Sequence, residues 1–320
     1  MSLNIVMMGT GTFALPTFRA LLESSHRVVA LVTQPDRVLR GSHVHPHPMK
    51  EEAVTRGVAV LQPEKVNRPE FLAELRSLQA DIFVVAAYGQ ILSADLLHIP
   101  RLGAINLHGS LLPKYRGAAP IQYAVLRGEE ETGVTIFQIE PKLDAGPIYG
   151  SVRTPIEATD TSGTVHDRLA ELAAPLTLDV LNGLDAGTLP GEPQNASAVT
   201  KAPKIPKEMG VVDWSRSRRE IDCHVRAMQP WPLAWTFATT DQGKSVRLIV
   251  LRTAVPADMT TTTTAPPGTI LSATDNRLVV QTADGPLEIT ELQPTGKRPM
   301  ASAEFLRGTR IVGSLSDSEG

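Results

Sequence analysis

The stretch Leu3-Asn-Ile-Val-Met-Met-Gly-Thr-Gly-Thr-Phe-Ala14 decides the fold class. Its apolar run over Leu3–Met8 ends in Gly9-Thr-Gly11, and Phe13–Leu22 follows with helical spacing. Val28–Val32 is a second strand-like run. The chain therefore opens β–turn–α–β, the repeating unit of a mostly parallel α/β sheet. Gly9, Gly11 and Ala14 fit the dinucleotide pattern G-x-G-x-x-A, but the second strand runs into Thr33-Gln34-Pro35, where that pattern needs an acid for a ribose. Asp36, lying past a proline, is a poor substitute. A tight strand-to-helix turn that uses glycine's backbone freedom is the better reading.

The alternation continues through a strand at Val58–Leu61, a helix near Pro69–Leu78, a strand at Ile82–Ala87, the turn Tyr88-Gly89 and a short helix near Ala94–Leu97. It reaches Gly103-Ala-Ile-Asn-Leu-His-Gly-Ser-Leu-Leu-Pro-Lys-Tyr-Arg-Gly117. Here an apolar run carries Asn106 and His108 two apart, so both point to one face of a strand. The Gly/Ser/Pro-rich segment after them cannot continue the strand, and ligands of open α/β sheets sit where strands end. A helix over Ile121–Leu126, a strand over Gly133–Ile139 and the acidic turn Leu143-Asp-Ala-Gly-Pro147 come next. The amphipathic pattern Thr161–Leu184 closes a domain spanning 1–184.

Composition then changes. Residues 185–206 are rich in Gly, Pro, Ala, Ser and Thr without periodicity, as a linker is. Residues 207–313 contain a helix (Arg219–Met228) and short strands at Trp235–Ala238, Val246–Thr253, Gly268–Ala273, Arg277–Gln281 and Leu287–Leu292. Turn signals separate these strands, the pattern of a small β-barrel. Thr260–Thr264 is low-complexity loop, and Ser314–Gly320 reads as a disordered tail.

The formal charge of −3 advertises no global nucleic-acid field, although residues 201–260 hold 10 basic against 6 acidic side chains. The single cysteine, Cys223, excludes an intrachain disulfide and fits a reducing compartment. No stretch has the ~20 apolar residues of a membrane span. A soluble, cytoplasmic, monomeric protein is expected. His43, His45 and His47 alternate in the 34–50 loop, but prolines interrupt them and no cysteine is near, so a solvated loop is expected there rather than a metal site.

Asn106, His108 and Asp144 form a candidate site if the turn at 144 folds over the end of the 106–108 strand. An amide N–H binds the oxygen that turns negative when a carbonyl is attacked. Imidazole donates to that oxygen or shuttles a proton, and a carboxylate orients the imidazole and favours its protonated form. No serine or cysteine is placed as a nucleophile, so the set suits direct acyl transfer to a nucleophile that a substrate supplies. The same residues are also compatible with a hydrogen-bonded structural histidine and an Asx-turn.

The 106–117 run, with Asp144 in Leu-Asp-Ala-Gly, resembles the signature of the folate-dependent formyltransferases. Further elements resemble the methionyl-tRNA formyltransferase branch of that family: Thr33-Gln-Pro-Asp-Arg37, Arg116-Gly-Ala-Ala-Pro-Ile121, Glu131-Thr-Gly-Val-Thr135, Lys204-Ile-Pro-Lys-Glu208, Pro230-Trp-Pro232, Leu292-Gln-Pro-Thr-Gly-Lys297 and Phe305-Leu-Arg-Gly308. The resemblance runs from about residue 4 to residue 310.

It implies a Rossmann-like catalytic domain and a barrel similar to an OB-fold. It also implies formyl transfer from 10-formyltetrahydrofolate to the α-amino group of methionyl initiator tRNA, without a metal. Asn106, His108 and Asp144 would be catalytic. Ser110, Leu111, Leu112 and Pro113 would present backbone to the folate, and the Tyr88–Leu92 turn (Tyr88, Gly89, Ile91, Leu92) would line its pterin pocket. Arg37, Arg40, Lys50, Lys204, Lys207 and Arg218 would contact tRNA.

The 38–47 loop departs from the family pattern. Relatives usually carry a basic insertion with a lysine pair there, and this chain has Val38-Leu-Arg-Gly-Ser-His-Val-His-Pro-His47. Weaker phosphate binding by this arm at neutral pH is expected. Trp214, Trp231 and Trp235 read as domain-core packing rather than base-stacking surfaces.

Overall fold

Strands buried on both faces are near-continuous apolar runs, and β1 (Asn4–Gly9) is one: Ile5, Val6, Met7 and Met8 are fully buried. A computed structural model describes residues 2–36, 47–257, 259, 264–274 and 277–318. In it, β1 pairs in parallel with β2 (Arg27–Val32), which pairs with β3 (Ala59–Leu61). On its other side β1 pairs with β4 (Ile82–Ala86), which pairs with β5 (Ala104–His108). The connections carry α1 (Leu15–Glu23), α2 (Pro48–Thr55), α3 (Pro69–Ser77) and α4 (Ala94–Leu97). The order β3-β2-β1-β4-β5 reverses direction at β1, and the loops beyond the carboxyl ends at that reversal are where such sheets take ligands.

After β6 (Arg116–Gly117) and α5 (Pro120–Leu126), two antiparallel strands extend the sheet: β7 (Glu131–Gln138) beside β5, then β8 (Ile148–Pro155). The sequence reading found neither β8 nor α2. Strand β8 holds Gly150, Ser151 and Arg153 and is buried fully only at Thr154, so it lacks an apolar run. α6 (Ser162–Ala186) follows, and no helix among the described residues is long and apolar enough to cross a membrane. β9 (Lys201–Ala202) pairs in parallel with β6.

The chain divides into two compact units. One comprises the residues through Ile121, Glu131–Pro155 and Val165–Pro203; the other comprises Gln122–Glu130, Ile156–Thr164 and the chain from Lys204 onward. Residues 185–203, read from composition as linker, thus cluster with the first unit.

In the second unit α7 (Arg218–Ala227) starts at a capping box: the Ser217 hydroxyl accepts from Glu220 N–H, and Glu220 accepts from Ser217 N–H. Its antiparallel sheet is built from β10 (Ala234–Thr240), β11 (Ser245–Ala254), β12 (Ile270–Ser272), β13 (Leu278–Gln281), β14 (Pro286–Pro294) and β15 (Met300–Ala301). After α8 (Ser302–Gly308), β16 (Ile311–Ser316) completes it.

The main path is β12-β13-β14-β11-β10-β16, and a Thr269–Ser314 bridge nearly closes it into a barrel, which removes open edges. This overturns the disordered-tail expectation for residues 314–316: Leu315 N–H donates to Gly268 O at 2.8 Å, and Ser316 pairs with Phe237. Gly268 is required at that closure, because its φ is +88° and a Cβ would stand 2.8 Å from Leu315 O. Trp214 is buried and donates to Thr236 Oγ1 at 3.2 Å. Trp231 is 52% exposed, against the core-packing expectation; it lies in the turn between α7 and β10, outside any strand or helix that would bury it.

Candidate active site

Pleat alternation sends Ile105 and Leu107 to one side of β5, where both are buried, and Asn106 and His108 to the other. His108 is 5% exposed, and its Nε2 lies 2.9 Å from Tyr115 O. A carbonyl only accepts, so Nε2 carries the proton and Nδ1 the lone pair. That lone pair faces Asp144: Nδ1 and Oδ2 are 3.9 Å apart, beyond hydrogen-bond length but well within Coulombic reach. Gly117 N–H donates to the same oxygen at 2.7 Å, and the Phe137 ring meets the imidazole edge-on with centroids 6.3 Å apart.

Burial pushes the His108 pKa below the ordinary histidine value. Asp144 and the Tyr115 carbonyl pull it up, burial outweighs them, and Arg116 adds to the lowering. Asp144 thus favours the protonated form, as expected of a carboxylate, but desolvation outweighs it and the net shift is toward the neutral imidazole. Its orientation comes from the Tyr115 carbonyl rather than from Asp144. The half-buried Asn106 amide, on the same face, makes no hydrogen bond among the described residues.

The turn after β7 carries Asp144 back to this point, and Asp144 and Tyr115 both take left-handed backbone conformations, at φ +48° and +61°. Non-glycine residues stay in that region only when their surroundings hold them. The holding residues come from the 185–203 stretch. Thr200 Oγ1 accepts from Tyr115 N–H at 2.8 Å, and Thr200 O accepts from Arg116 N–H at 2.9 Å. The Gln194 side chain bonds to Arg116 and to the backbone of the Asp144 turn. At Gly117 a Cβ would stand 2.5 Å from Ala202 O, so β6 approaches β9 only with glycine there. Sequence reading missed Gln194 and Thr200; they sit in no motif, and nothing sets them apart from the other polar side chains of the stretch, such as Glu192, Asn195 and Lys201.

The other candidate residues are placed as follows. Ser110 is fully buried and donates to Lys114 O at 2.7 Å; its own N–H donates to His108 O, and its carbonyl accepts from Thr135 Oγ1. Leu112 N–H donates to Thr135 Oγ1. The amide donors at Ser110 and Leu112 are therefore consumed in shaping the loop, while Leu111 and Pro113 are part-exposed.

The Tyr88 ring is buried in the sheet core, where burial pushes its phenol up to about 12, and its carbonyl accepts from Gln34 Nε2. Gly89 is exposed, Ile91 is 88% exposed and Leu92 packs on that core. Lys50 pairs with Asp36, and Arg218 lies 3.5 Å from Asp284, whereas Lys204 and Lys207 are exposed with no partner among the described residues. Arg37, Arg40, His43 and His45 lie outside the described residues.

Residues 3–181 match the formyl transferase family model, and residues 204–310 match that of the formyl transferase C-terminal domain. The chain is 44% identical over 312 residues to the methionyl-tRNA formyltransferase of Methylococcus capsulatus, covering 97% of this chain and 98% of that one. It is 40% identical to the Bacillus subtilis enzyme of the same name, with 96% and 95% covered. Among solved structures, the sugar 3N-formyl transferase WlaRD has a TM-score of 0.66 at 14% identity, covering 93% of this chain and all of that one. HypX of Aquifex aeolicus in complex with tetrahydrofolic acid has a TM-score of 0.62 at 17% identity; it covers 96% of this chain, which spans about half of HypX (47%). The two structural likenesses support the fold, and the full-length identities and family matches place the chain: it belongs to the methionyl-tRNA formyltransferase family.

Proposed function

We propose that the chain transfers a formyl group from 10-formyltetrahydrofolate to the α-amino group of methionyl initiator tRNA. The observation that carries this reading is a buried imidazole whose Nδ1 faces a carboxylate, beside an unengaged amide, in a chain colinear with enzymes of that name. The neutral amine attacks the formyl carbon, and the carbonyl electrons move onto oxygen. Asn106 donates an N–H to that oxygen; losing one such donor typically costs roughly 10²–10³ in rate. His108 Nδ1 takes the proton released by the new C–N bond and becomes an imidazolium beside Asp144. The oxyanion electrons then re-form the carbonyl as the bond from N10 to the formyl carbon breaks, and N10 takes its electron pair together with the proton from His108, so bonds and protons balance.

On this reading the Tyr88–Leu92 turn and the Ser110–Pro113 loop form the folate side, acting as shaped walls more than as hydrogen-bond donors. Lys204 and Lys207 meet tRNA phosphates, with Arg37, Arg40, Lys50 and Arg218 in the same role; Lys50 and Arg218 would first release their carboxylate partners. The alternative acceptor is an amino-sugar nucleotide, given the fold shared with WlaRD, a sugar 3N-formyl transferase. The 40–44% identity over nearly the whole chain to enzymes named methionyl-tRNA formyltransferase, against 14% to WlaRD, favours tRNA. One assay separates the readings: 10-formyltetrahydrofolate is supplied with charged initiator tRNA, free methionine or an amino-sugar nucleotide. Transfer to charged tRNA alone is expected, and none to it overturns the proposal.

A further inference from the structure

Gln194 lies outside every recognisable motif, yet its carboxamide uses its full hydrogen-bonding capacity at the site. Oε1 accepts from Arg116 Nε at 3.1 Å and from the terminal guanidinium nitrogen at 2.6 Å. Nε2 donates to Asp144 O at 2.9 Å and to Gly146 O at 2.8 Å. These bonds join the loop that holds the Asp144 carboxylate, through Gly117 N–H, to the turn that carries the Asp144 backbone. The turn needs such a tie, because Asp144 sits at φ +48° and neighbouring Leu143 is 68% exposed, with little packing to restrain it. Thr200 and Ala202 hold the other side of the same loop, at Tyr115, Arg116 and Ala119.

We propose that Gln194 is a positioning residue of the active site: its carboxamide fixes Asp144 at its separation from His108. A group that places a reacting partner affects turnover more than substrate affinity, and a misplacement of about 1 Å costs on the order of 10² in rate. The claim rests on the proposed formyl transfer for its kinetic readout.

The test is Gln194→Met in the full chain, which keeps the length of the side chain and removes all four hydrogen bonds. kcat for formylation of charged initiator tRNA should fall by about 10²-fold, with both KM values within about threefold of wild type. Gln194→Glu keeps the acceptor for Arg116 but sets an oxygen against the carbonyls of Asp144 and Gly146, and it should lose a similar factor. Asn195→Ala, a change one residue along that only removes a local cap on Ser197, should leave kcat as it was. Unchanged kcat in Gln194→Met, full kcat in Gln194→Glu, or an equal loss in Asn195→Ala overturns the proposal. An inactive wild type would instead sink the formylation reading. The positioning claim is then read in a crystal structure of Gln194→Met: a His108–Asp144 separation longer than 3.9 Å supports it, and an unchanged one refutes it.

Discussion

Residues 104–108 and residues 194–202 both hold the same site, and they do so by different physics. The first stretch is a strand between two paired neighbours, with Ala104, Ile105 and Leu107 essentially out of solvent. Asn106 and His108 inherit their places from a backbone ladder and a core. The second stretch is mostly exposed, and of its residues only Ala202 is fully buried. It acts through individual bonds from Gln194, Thr200 and β9 to the loop and turn that complete the site. Placement by a core and placement by a strap respond differently to substitution: the first ties stability to geometry, and the second lets geometry fail while the fold survives.

Four measurements can break or sharpen this contrast. The largest effect is expected for His108→Ala, which removes the proton carrier. Turnover should fall by about 10²–10⁴ with tRNA binding little changed, and a loss of only a few-fold would refute the role assigned to His108. Next comes Leu107→Ala on the buried side of the same strand. Denaturant unfolding should show a loss of about 2–5 kcal/mol from transfer and cavity terms. A loss below about 1 kcal/mol would mean that the core does not fix this strand.

The third is pH. His26, His47, His108 and His224 all have pKa values lowered by burial, so the unfolded chain binds protons more readily than the folded one. The stability they provide is complete above the unfolded value of about 6.5 and is lost as pH falls below it. Melting temperature should drop between pH 7.5 and 5.5. Activity should show its acidic limb below about 6.5, because His108 must be neutral to take the proton; a limb above 7 would contradict the geometry. The smallest effect is expected where the strap contributes a single side-chain bond, at Thr200. Thr200→Val removes the acceptor for Tyr115 N–H and should lower kcat by a few-fold, matching about 0.5–1.5 kcal/mol for one hydrogen bond. A drop in stability as large as that of Leu107→Ala would erase the distinction between the two regions.

How much of this was legible depends on whether a local pattern existed. The parallel order was readable because Leu3–Met8, Val28–Val32 and Ile82–Ala87 are apolar runs bounded by turns, and burial on both faces demands that pattern. Asn106 and His108 were readable because a period of two puts them on one face. Strand β16 escaped because Ser314 and Ser316 look like tail, and pairing with β10 gives them order that composition cannot announce. Strand β8 escaped because an edge position relaxes the demand for apolar side chains.

The sequence by itself determined the elements whose stability is local or periodic, the pair on β5, and, by resemblance, the reaction family. Only the tertiary structure decided that His108 rests neutral, since desolvation depends on everything packed around it. Only the tertiary structure showed that the proton of this imidazole sits on Nε2, because the accepting carbonyl belongs to Tyr115 across a loop. The part played by residues 194–202 was likewise invisible beforehand. Hydrogen bonds made across 50 or more residues of chain, such as Gln194 to Asp144, leave no periodicity for a sequence to carry.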